Sequence, residues 1–135
     1  MDKPACIWVV EDDTSLQRLV VDRLRSNGFE ALAFGSAEQA HAALKTQPLP
    51  SLIILDMLLP GMSGVDLVRL LKKEQTWEHI PIIVVSVLSA KEGLGAEAEG
   101  QAAFWINKPF DAGHLIQTVQ KVLLSVGPEG AAQHG

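Results

Sequence analysis

The stretch LIILDMLLPGMSG, residues 52–64, decides how this chain folds. Leu52, Ile53, Ile54 and Leu55 are apolar at both alternating positions and too few for a helix, the pattern of a strand covered on its two faces. The run stops at an acid, Asp56, and the turn-rich Pro60-Gly61-Met62-Ser63-Gly64 follows. A strand covered on both faces needs helices above and below it. Val65, Val68 and Leu71 supply one immediately downstream, at helical spacing.

Towards the N-terminus the same arrangement recurs. Ile7 to Val10 is an unbroken apolar run ending in Glu11-Asp12-Asp13. Thr14 or Ser15 can cap a helix carrying Leu16, Leu19, Val20 and Leu24, and Asn27-Gly28 supplies a left-handed stop. Phe29 to Phe34 is a weaker second strand. Ser36-Ala37-Glu38-Gln39 has the form of a capping box opening an Ala-rich helix to about Lys45, and Pro48-Leu49-Pro50 closes that unit.

Towards the C-terminus, Pro81 introduces Ile82-Ile83-Val84-Val85, which ends in Ser86 and is the strongest strand pattern in the chain. Ala90 to Ala103 contains Ala and Glu but also Gly93, Gly95 and Gly100, each costing about 1 kcal/mol relative to Ala in a helix interior, so a short helix is expected. Phe104-Trp105-Ile106 makes a fifth strand ending at Asn107-Lys108-Pro109. Asp111 can cap a last helix carrying Leu115, Val119, Val122 and Leu123. From Gly127 the composition reads as a tail or the start of a linker, so residues 1–126 are expected to form one domain and 127–135 to lie outside it.

Five strands alternating with five helices predict an α/β fold, a doubly wound parallel sheet with helices on both faces. Ligands of such sheets bind at the carboxyl ends of the strands. Four of the five apolar runs end in a residue able to act on a phosphate or a metal: Glu11 and Asp12, Asp56, Ser86, and Lys108.

Composition narrows the function. With 135 residues, 47% hydrophobic and 20% charged, the chain suits one globular domain. No apolar run approaches the ~18 residues of a membrane span, and Met1-Asp2-Lys3-Pro4 does not open a signal peptide, so a cytoplasmic location is expected. A net charge of -5 disfavours direct nucleic-acid binding. The lone Cys6 reads as a small hydrophobe, and Trp8 and Trp77 as packing. His41, His79, His114 and His134 show no ligand spacing and read as surface residues, so no zinc set can be proposed. The spacing of glycines 93, 95 and 100 does not make a dinucleotide fingerprint.

If the strand ends converge, Glu11, Asp12 and Asp56 place three carboxylates in one crevice and oppose one another's ionisation unless a cation offsets them. An all-oxygen set fits Mg2+, for which Mn2+ could substitute; Asp13 could stand in for Asp12. A carboxylate can attack phosphorus to give an acyl phosphate. Lys108 and Ser86 would then supply an ammonium and a hydroxyl to the phosphoryl oxygens.

Taken together these residues resemble the response-regulator receiver family, from Ile7 to Leu124: Glu11-Asp12, Asp56 within Leu-Asp-Met-Leu-Leu-Pro-Gly-Met-Ser-Gly, Ser86, and Lys108-Pro109-Phe110. The resemblance implies a flavodoxin-like sheet of order 2-1-3-4-5 and a cis Lys108-Pro109 bond. It implies that Asp56 accepts phosphoryl from a histidine kinase, a histidine phosphotransfer protein or a small phosphodonor, with Glu11, Asp12, Asp56 and the Leu58 carbonyl around the metal. Ser86 and Trp105 are then the switch pair. They remodel a face made by the fourth expected helix, the fifth strand and the last helix, where an output partner or a second copy docks. Leu58, Val87 and Leu88 occupy the places that tune hydrolysis, and none can orient an attacking water, so a long-lived phosphorylated state is expected. The rival readings are a dehalogenase-type phosphatase, which wants a second Asp where Leu58 stands, and a scaffold that binds partners without phosphorylation. The chain is therefore expected to be a switch with only self-phosphorylation and self-dephosphorylation chemistry.

Overall fold

The computed structural model describes residues 3–87, 102 and 104–126. In chain order the elements are β1 (Cys6–Val10), α1 (Thr14–Ser26), β2 (Glu30–Phe34), α2 (Ala37–Thr46), β3 (Leu52–Leu55), α3 (Gly64–Lys73), β4 (Ile82–Ser86), β5 (Phe104–Asn107) and α4 (Ala112–Val126). All strand pairings are parallel, in the order β2-β1-β3-β4-β5.

The unbroken apolar runs are divided between the two faces by the pleat. Trp8 and Val10, Ile53 and Leu55, Ile82 and Val84 pack under α2 and α3. Ile7 and Val9, Leu52 and Ile54, Ile83 and Val85 pack under α1 and α4. Burying a side chain of this size stabilises by roughly 1.5–3 kcal/mol, so the three central strands anchor both cores.

The fold differs from the sequence-based expectation in its helices. Five were expected; among the described residues there are four. The missing one was expected over residues 90–103, which lie outside the described residues except for Ala102. Its three glycines made it the least favoured helix of the chain. The cap of α1 also moves back one residue: Asp13, not Thr14 or Ser15, accepts the Leu16 N–H at 3.1 Å. Val21 rather than Leu19 completes the buried stripe of α1, leaving Leu19 exposed.

Two glycines hold the chain around Asp56. A Cβ at Gly64 would lie 2.5 Å from the Asp56 carbonyl oxygen, so α3 can begin this close to the end of β3 only with glycine. Gly61 has φ +75°, a turn conformation that side chains disfavour.

Candidate functional site

The parallel register aligns the carboxyl ends of β1 and β3, and Glu11 and Asp56 leave them side by side, each only 5% exposed. The Asp56 N–H donates to the Val10 carbonyl at 3.1 Å, fixing its backbone to β1. Asp12, the next residue of the β1–α1 loop, is exposed. One carboxylate oxygen from each of Glu11, Asp12 and Asp56 lies within 4.8 Å of the others. Asp13 caps α1 instead of joining them.

Negative charges held this close repel, and Lys108 offsets two of them. Its ammonium donates to Glu11 Oε1 at 2.9 Å and to Asp56 Oδ2 at 3.0 Å. The remaining oxygens are met by backbone: Leu58 N–H donates to Asp56 Oδ1 and Asp13 N–H to Glu11 Oε2, both at 3.1 Å. Burial raises the Glu11 pKa; the bonds from Lys108 and the Asp13 N–H lower it and the Asp56 charge raises it, with a net upward shift. Burial alone would lower the Lys108 pKa, and the two carboxylates reverse this by hydrogen bond and charge, leaving it raised. The crevice thus already holds one cationic group. Its all-oxygen donors suit a hard divalent cation, so the residues present fit such an ion.

The other residues singled out in the sequence are distributed around this centre. Ser86 is fully buried at the end of β4, and its carbonyl accepts the Lys108 N–H at 2.8 Å. The Lys108–Pro109 peptide bond is cis. Trp105 is half-buried against the core beneath α2 and α3. Leu58 and Val87 are 47% and 60% exposed, and Leu88 lies outside the described residues. A groove of about 310 Å³ lined by Leu16, Leu19, Val87, Lys108, Pro109 and Phe110 borders the ammonium.

Sequence reasoning missed Glu38, whose carboxylate accepts the Met62 N–H at 2.9 Å in the loop that follows Asp56. The signal was an acid in the first turn of a helix, which by itself reads as a favourable dipole contact. His41, expected at the surface, is half-buried and meets Trp77 edge-on at 5.7 Å.

A family model described as "Response regulator receiver domain" matches residues 7–120. The phosphate regulon transcriptional regulatory protein PhoB of Pseudomonas aeruginosa is 33% identical over 122 residues, which cover 90% of this chain and 53% of that protein. The chain thus spans about half the length of the curated relatives it matches. Among solved structures, the signal receiver domain of a signal transduction histidine kinase from Syntrophus aciditrophicus aligns with a TM-score of 0.83 at 28% identity, over 92% of this chain and 93% of that one. A sensor protein from Polaromonas sp. JS666 aligns at 0.82 and 27%, over 93% and 100%.

Proposed function

The chain belongs to the response regulator receiver domain family, and from that premise we propose that Asp56 is the phosphoacceptor of a phosphorylation switch. The observation that carries the assignment is the position of Asp56: buried at the end of a central strand, within an acidic cluster able to hold a metal, and paired to Lys108 at 3.0 Å. A carboxylate oxygen of Asp56 attacks phosphorus, the P–N bond of a phosphohistidine breaks, and its electron pair stays on the imidazole nitrogen of the donor. The donor is a sensor histidine kinase or a histidine phosphotransfer protein.

Glu11, Asp12, Asp56 and the Leu58 carbonyl would hold Mg2+ or Mn2+. The bound ion would offset the charge of three carboxylates and an incoming phosphoryl group. Lys108 pairs with one phosphoryl oxygen, and the Ser86 hydroxyl donates to another. Ser86 and Trp105 carry the change to an output partner or a second copy, which docks on the face made by the expected fourth helix, outside the described residues, with β5 and α4. Leu58 and Val87 present apolar, exposed side chains beside the site and position no attacking water, which favours slow loss of the phosphoryl group. Leu58 also stands where a phosphatase of the dehalogenase type keeps an acid. Self-phosphorylation and self-dephosphorylation are the whole of the chemistry.

On this reading residues 1–126 form the receiver and 127–135 a tail or the start of a linker, in a cytoplasmic protein that makes no direct contact with nucleic acid. Among the described residues no helix is long and apolar enough to cross a membrane.

Incubation with phosphoramidate or acetyl phosphate and Mg2+, followed by intact-mass measurement, tests the assignment. One phosphoryl adduct is expected, absent without the metal and absent in Asp56→Asn. An adduct that persists in Asp56→Asn overturns it.

A further inference from the structure

The loop from Met57 to Ser63 is anchored in three places. Near Asp56, the Leu58 N–H donates to Asp56 Oδ1 and the Gly64 N–H to the Met57 carbonyl at 3.0 Å. At its far end, Ser63 and Asp66 exchange side-chain and backbone bonds in a capping box that starts α3. Between these anchors the apex is held from a different element, 24 residues away in sequence: Oε2 of Glu38, in the first turn of α2, accepts the Met62 N–H at 2.9 Å. The fit is close, since a Cβ on Gly61 would collide with the same oxygen. The Met62 N–H, with the Glu38 N–H adding to it, holds the Glu38 carboxyl below its ordinary range. The positive end of α2 favours a charge at this place.

We propose that Glu38 is a positioning residue for the phosphoacceptor loop, clamping the Gly61-Met62 turn to α2 and so holding Leu58, whose N–H meets Asp56 Oδ1, beside the metal crevice. The proposal rests on the phosphoacceptor reading above for its purpose, but not for its geometry. Glu38 touches neither the ion nor the phosphoryl group; it acts through four residues of backbone. Its replacement therefore changes how tightly the loop is presented and leaves the carboxylates and Lys108 intact.

Three measurements on the full chain test this. Glu38→Ala is expected to raise the Mg2+ dissociation constant, read by calorimetric titration, about threefold to tenfold, the loss appropriate to one charge-assisted bond at a solvent-exposed site. Phosphorylation by phosphoramidate should slow at low Mg2+ and recover at saturating Mg2+, separating metal affinity from the transfer step. Hydrogen exchange at the Met62 and Leu58 amides should quicken. Glu38→Gln keeps an acceptor oxygen but not the charge and should restore the larger part of all three, which a role for charge alone would not. Unchanged exchange at Leu58 in Glu38→Ala, or Glu38→Gln as impaired as Glu38→Ala, overturns the proposal. A wild-type chain that forms no adduct refutes the Asp56 assignment instead, and the exchange measurement still decides the clamp.

Discussion

The three central strands and the two edge strands are of similar length but are covered differently. β3 and β4 are buried at every position and β1 at all but its first residue, whereas β2 and β5 each have a single buried residue. The site is divided along the same line. Its two buried acids leave the central strands β1 and β3, which are clamped on both faces and both sides. Its ammonium comes from an edge, on a long side chain that crosses to reach them. The negative crevice thus stands on strands covered from both faces, and its counter-charge reaches it from the less covered edge strand β5.

If the central strands anchor the fold, truncating a side chain within them costs more than truncating one at an edge. Leu55→Ala removes a side chain with no exposed surface from the core shared by Trp8, Val10 and α3. It is expected to lower stability by about 2–5 kcal/mol, the range for large-to-small changes at sites that cannot collapse. Chemical denaturation monitored by circular dichroism measures this. A loss below about 1 kcal/mol would mean that the centre tolerates cavities as an edge does.

Lys108→Ala sharpens the division of charge. Without the ammonium, Glu11 and Asp56 face one another with no counter-ion, and a cost of about 1–3 kcal/mol is expected in EDTA. That is below the value for a fully buried pair because the crevice opens to solvent. Millimolar Mg2+ should recover most of it by supplying the missing charge. Equal destabilisation with and without the metal would show that Lys108 contributes through the packing of its stem instead.

Ser36→Ala acts on the helix that carries Glu38. The Ser36 hydroxyl accepts the Gln39 N–H at 3.1 Å, and its loss is expected to cost about 1 kcal/mol. The Gln39 side chain does not close the expected capping box; its Oε1 accepts the Gly35 N–H instead, at 2.9 Å. A thermal melt that shifts by less than a degree would place the start of α2 under the control of Gly35 and Gln39 rather than the cap.

What could be read in the sequence follows the same contrast. Burial on both faces writes itself as Ile7–Val10, Leu52–Leu55 and Ile82–Val85, runs with no polar interruption, and the acids that end them are conspicuous because nothing else in those runs is charged. Half-covered elements carry weaker signals. β2 starts at Glu30, one residue after the expected Phe29, and the stripe of α1 includes Val21 where Leu19 looked equally suitable. The cap at Asp13 was hidden because the same acid fits a metal ligand. The capping box at Ser63 was hidden because Asp66 stands where Glu or Gln is the usual cue. Glu38 could not be found at all: its partner is a backbone amide in another loop, and no side-chain pattern records that pairing.

The smallest effect is expected at Leu32, which makes it the control for the comparison. Leu32 stands opposite Trp8 in the β1–β2 register, yet Trp8 has no exposed surface and Leu32 is 41% exposed. Leu32→Thr replaces a γ-branched side chain by a β-branched one that suits a half-covered strand, and gives up only part of the apolar contact, so a change within about 0.5–1 kcal/mol is expected. Adduct formation at Asp56 should keep its wild-type rate, because the β2 edge supplies no group to the crevice. A loss above about 2 kcal/mol, or a slower adduct, would mean that β2 is held as tightly as the strand beside it and that the rigidity of the site extends to the edge of the sheet.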